Sequence, residues 1–95
     1  MNNSPIIVTN EELAEYLGVS VDTISNAVDT AVKTKAKTKV AGVVFWNLIF
    51  DEDEDTGLCW AQVCVFTPSG ERFVIDKSAA TFDYDGNKIA DGVIF

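Results

Sequence analysis

An α+β domain, in which an N-terminal helical hairpin packs on a four- to five-stranded antiparallel sheet, is the fold this sequence predicts. Three observations lead there. Apolar residues recur at helical spacing before about residue 40, and the period shifts toward two after it. A chain of 95 residues holds one compact core, with no repeat or low-complexity linker to divide it. The helical part is too small to bury its own apolar stripe, so it must lie on the sheet. The expected organisation is a single domain over 1–95, with the helical hairpin at 9–33 and the sheet at 40–95.

The first helix starts at Val8-Thr9-Asn10-Glu11-Glu12-Leu13. Thr9 is placed as N-cap, Glu12 as the reciprocal acid of a capping box, and Val8 against Leu13 as a hydrophobic staple. Glu11 and Glu12 also sit where the helix dipole favours negative charge. Gly18 closes the helix after Leu17, because glycine takes the left-handed conformation without a steric penalty. Ser20 caps a second helix, with Asp22 in its first turn and Val19 stapled to Ile24. Ile24, Ala27, Val28 and Ala31 then share one face, leaving Asp22, Ser25, Asn26 and Asp29 toward solvent.

The runs "VAGVVFWNLIF" and "LCWAQVCVF" are rich in β-branched and aromatic residues, and "DEDEDTG" between them reads as a long charged hairpin loop. "TPSG" leads into "ERFVID", and "DYDGN" marks a tight turn between "AATF" and "KIADGVIF".

Composition excludes several function classes. No apolar run approaches the ~20 residues needed to span a bilayer, and "MNNSPIIV" has no basic residue ahead of its apolar patch, so a cytoplasmic protein is expected. Cys59 and Cys64 are an odd number of residues apart on one strand, which points them to opposite faces as reduced core residues. With no histidine, the commonest general base and metal ligand are both missing. The expectation is therefore a protein that is not an enzyme and uses no cofactor and no metal. Asp51, Asp53 and Asp55 are spaced like the start of a calcium loop, but Thr56 replaces the glycine at position six and Gln62 the glutamate at position twelve.

The stretch "NEELAEYLGVSVDTISNAV" resembles the helix-turn-helix family, through Ala14 in the first helix, Leu17-Gly18-Val19-Ser20 across the turn, and Thr23, Ile24 and Ala27 in the second. That resemblance implies a DNA-binding regulator whose second helix reads the major groove through Val21, Asp22, Thr23, Ser25 and Asn26. Lys33, Lys35, Lys37 and Lys39 of "KTKAKTK" would grip phosphates as a stripe if extended, or else guard an edge strand or form a solvated helix end. Asp22 and Asp29 oppose this alternative, since they would face the duplex with the wrong sign.

Net charge is −8, and nearly all of it lies after residue 50. Asp51, Glu52, Asp53, Glu54 and Asp55 are five successive carboxylates, and Asp76, Asp83, Asp85 and Asp91 extend the field if they share a face. An extended chain rises ~3.4 Å per residue, close to the spacing of phosphates along one DNA strand. In size and charge the chain resembles small acidic phage-encoded inhibitors of the anti-CRISPR and anti-restriction kind. That resemblance implies a module that blocks a basic nucleic-acid-binding protein by charge mimicry, with Asp51 to Asp55, Asp83 and Asp85 as its partner-binding residues. "IVTNEELAEYLGV" is also similar to the first helix of some phage head-tail connector proteins, which gives a virion assembly component as a third reading.

Overall fold

The structure is a computed structural model that describes residues 6–34 and 36–95. The chain runs β1 (Ile6–Val8), α1 (Asn10–Leu17), α2 (Val21–Thr34), β2 (Thr38–Val40), β3 (Val43–Asp53), β4 (Leu58–Phe66), β5 (Arg72–Ile75), β6 (Ala80–Asp83) and β7 (Lys88–Asp91). Two helices on one side of a single sheet bear out the α+β class. The sheet differs in detail from expectation: it has seven strands, and β1 pairs with β5 in parallel, Ile6 beside Phe73 and Val8 beside Ile75. β1 and β2 are three residues each, too short for a period of two to stand out from their surroundings.

The helix ends follow the local chemistry. The Thr9 side chain accepts from the Glu12 N–H at 3.1 Å while Thr9 N–H donates to Glu12 Oε1 at 3.0 Å, and Gly18 closes α1 at φ 72°. Ser20 Oγ accepts from the Thr23 N–H at 3.2 Å at the start of α2. Leu13, Ala14, Ile24, Ala27 and Ala31 are buried against Phe45, Val63, Val65, Phe73 and Ile75 of the sheet. Full burial of side chains such as Leu13 or Ile24 contributes about 1.5–3 kcal/mol each.

β4 is the hub. One edge pairs along its whole length with β3, while the other is shared, Cys64–Phe66 with β5 and Leu58–Ala61 with β6. The break is bridged by side chains: Gln62 Nε2 donates to the Ile75 carbonyl at 3.0 Å, and Val63 N–H donates to Ser78 Oγ at 3.1 Å. Cys59 lies in a cluster with Ala61, Ala80 and Phe82 on the helix side. Cys64 stands beside Trp46 and Val74 on the other face, so the two buried thiols are separated by the sheet.

The face away from the helices is aromatic. Trp46 meets Phe66 with centroids 6.2 Å apart, Lys37 Nζ lies 4.3 Å from the Trp46 ring, and Phe50 stacks on Trp60 at 5.0 Å. The last stack lies at a register shift between Ile49 and Asp51. At this bulge Phe50 and Asp51 both oppose Trp60, which turns Asp51 to the Trp60 side and puts Glu52 opposite Cys59, on the helix side.

Candidate functional site: the acidic end of the sheet

Of the charged loop expected over residues 51–57, Asp51, Glu52 and Asp53 belong to strand. β3 runs through Asp53, and only the segment from Glu54 to Gly57 makes the turn, closed by Gly57 N–H to the Asp53 carbonyl at 2.9 Å. Asp51 and Asp53 therefore project from one face of β3 and Glu52 from the other, so the five carboxylates do not form a single row.

A second acidic turn lies at the same end. Asp53 pairs with Leu58, and Leu58 pairs with Asp83, which puts Asp53 and Asp83 two strands apart on one face, a separation of about 10 Å. Asp83 starts the turn that carries Asp85 into β7, so the expected partner-binding set Asp51, Glu52, Asp53, Glu54, Asp55, Asp83 and Asp85 converges on one end of the sheet. Asp76 and Asp91 do not join it. Asp76 follows β5 and donates its N–H to the Val8 carbonyl at 2.7 Å, while Asp91 sits opposite Ala80 and pairs with Lys88.

Several of these carboxylates also shape the turns. Asp83 accepts from the Asn87 backbone N–H at 2.8 Å and from Asn87 Nδ2 at 3.2 Å, and the backbone bond above all holds its carboxyl below the usual aspartate range. Asp53 Oδ1 accepts from Asp55 N–H at 3.0 Å, and Asp51 Oδ1 from Glu52 N–H at 2.9 Å. Tyr84 feels the collective field: loss of hydration, and after it the Glu52 and Glu54 carboxylates, raise its phenol. Among the described residues no group of three or more metal-ligating side chains stands together.

Next to this end, on the helix side, an open cavity of about 700 Å³ lies beside the end of α2, whose Val32 packs against the cluster of Cys59, Ala61, Ala80 and Phe82. Asn47, Ile49, Glu52, Cys59, Ala61 and Phe82 form its floor, with Asp83, Tyr84 and Gly86 at the rim. The sequence reading did not single out Asn47. Its signal was an amide inside the apolar run "VVFWNLIF", in phase with buried Val43 and Phe45.

The residues of the helix-turn-helix resemblance are differently disposed. Asn26 is exposed, but Thr23 is half-buried with its hydroxyl 2.8 Å from Ser20 Oγ. Ser25, expected toward solvent, is half-buried and accepts from Asn10 Nδ2 at 3.2 Å, because the two helices cross there. The lysines form no single stripe. Lys33 ends α2 beside Asp29, Lys37 covers Trp46, Lys39 is exposed on β2, and Lys35 lies outside the described residues. No helix among the described residues is long and apolar enough to cross a membrane.

Comparison of the chain with protein-family models, with curated proteins and with solved structures returned no match.

Proposed function

We propose that this chain is a non-enzymatic protein-binding module that uses the acidic end of its sheet to cover a basic, nucleic-acid-binding surface on another protein. The observation that carries this reading is the convergence of the β3–β4 tip and the β6–β7 turn, two acidic turns from separate parts of the chain, at one end of the sheet. A basic channel evolved to neutralise phosphates attracts such a surface at long range, and occupancy excludes the nucleic acid. The mimicry lies in the field of a clustered end rather than in a row of charges at phosphate spacing.

The DNA-binding alternative draws less from the geometry. Thr23 and Ser25 are engaged within the helical hairpin, and the exposed side of α2 carries Asp22 and Asp29. Both acids repel phosphate.

The test is affinity capture from a nuclease-treated bacterial lysate with the tagged chain and with a Glu54→Lys, Asp55→Lys variant, which leaves the Asp53 and Asp83 side chains in their turns. The expected result is a captured nucleic-acid-binding protein that added duplex DNA displaces and that the variant fails to hold. Equal capture by both forms overturns the reading, and DNA recovered with the chain from untreated lysate favours the helix-turn-helix alternative.

A further inference from the structure

Asn47 is 8% exposed, and its Oδ1 is buried with no hydrogen-bond partner among the described residues. Buried amide oxygens are nearly always satisfied, because leaving one bare forfeits its hydration for nothing. Asn47 belongs to the floor of the cavity of about 700 Å³, at the border where the Phe45 core under α2 gives way to the open trough. The last torsion of an asparagine is broad, so a small rotation presents this oxygen to a donor in the trough.

The surroundings define what that donor belongs to. Ile49, Ala61 and Phe82 offer apolar surface, Glu52 stands at the outer end with Asp83 at the rim on the opposite face of the sheet, and among the described residues no lysine or arginine lines the cavity. The matching group has an apolar stem, several donors and a positive charge. A guanidinium on three methylenes meets that description better than an ammonium, since it is less strongly hydrated and presents a planar fork of five N–H donors.

The route of delivery is also visible. β2 covers β3 only from Val43 to Phe45, so the edge of β3 from Asn47 to Asp53 is unpaired among the described residues. Trp46 and Leu48 border the cavity as well, although their side chains leave the sheet on the opposite face, so the trough opens onto that edge. An unpaired edge is a template for an added strand. A second copy of this chain would bring its own net charge of −8 to this acidic end, whereas a basic segment is attracted.

We propose that the free edge of β3 takes an extended segment of the basic partner and that one arginine of this segment lies in the trough, its stem on Ile49, Ala61 and Phe82 and its guanidinium between Asn47 and Glu52. This rests on the protein-binding reading above and names the chemistry that the partner brings.

The experiment is a titration of the isotope-labelled full chain, followed by NMR, with a blocked five-residue β-strand peptide carrying a central arginine and with the same peptide carrying norleucine. Saturable shifts are expected at Asn47, Ala61 and Phe82, with the arginine peptide binding about tenfold tighter or more, the ratio that a charge-assisted hydrogen bond supplies. Asn47→Leu and Glu52→Gln should each remove most of that advantage. Asn47→Leu should melt at or above the temperature of the parent chain, so its loss of binding is not a loss of folding.

The proposal is overturned if both peptides bind equally, if neither binds, if Asn47→Leu keeps the preference, or if shifts are confined to the hairpin tips. Blocked arginine alone binding as tightly as the peptide overturns the added strand. If lysate capture behaves as expected while the peptides fail, the trough assignment falls and the protein-binding reading stands. If the arginine peptide binds as expected while DNA displaces no captured protein, the trough assignment stands and charge mimicry falls.

Discussion

Where β5 parts from β4, the Ser78 hydroxyl donates to the Ile75 carbonyl at 2.6 Å and accepts from the Val63 N–H at 3.1 Å. Val63 is fully buried, so this hydroxyl takes the place of the strand that is missing at that position. Ser78→Ala strips the N–H of its partner, and a buried donor left unsatisfied costs about 1–3 kcal/mol. Urea unfolding should show a loss of that size with an unchanged slope, and a loss of a few tenths would mean that the backbone or a water supplies another acceptor. Asn47 is the opposite case, a buried acceptor already bare. Replacing it by an apolar residue of similar volume relieves that cost, and on the trough assignment proposed above its polarity serves binding rather than folding.

The hairpin joining β2 to β3 has two loop residues, Ala41 at φ 52° and Gly42 at φ 80°. Two successive positive φ values define the turn that matches the twist of a hairpin, and its preferred sequence is Asn-Gly. Ala41 bears a β-carbon in the left-handed region without the local hydrogen bonding that lets asparagine rest there. Ala41→Asn should therefore raise stability by about 0.5–1 kcal/mol, the scale of a relieved left-handed residue, measured as a higher thermal midpoint. Elements with their own local chemistry were legible in this way from the sequence: the Thr9–Glu12 box, the Gly18 stop, the Ser20 cap and the Asp83–Asn87 turn all occur where residue chemistry placed them. Features set by distant partners were not. Ile6–Val8 becomes a strand only because β5 lies beside it, and the bulge at Phe50 forms against Trp60 of the neighbouring strand. That bulge carries Glu52 to the helix side, so the trough could not be read from the order of the acids alone.

For the whole molecule the deciding quantity is where the −8 charge sits. Acids gathered at one end of the sheet raise the free energy of the folded state through mutual repulsion, and the unfolded chain dilutes that repulsion. Salt at 0.1 M screens charges more than about 10 Å apart, so it relieves repulsion across the two turns. The thermal midpoint should therefore rise between low and moderate salt, and the rise should shrink in Glu54→Lys, Asp55→Lys, where opposite charges are set among the acids. The same screening acts on association in the other direction. A partner drawn in by this field should bind more slowly as salt increases while its dissociation rate changes little, because steering acts on encounter rather than on the docked contact. Stopped-flow association with the captured protein, alongside melting across one salt series, measures both slopes. Opposite signs are expected if the acidic end is a surface whose repulsion is relieved on meeting its partner. Association that ignores salt would mean that contact is made elsewhere on the molecule.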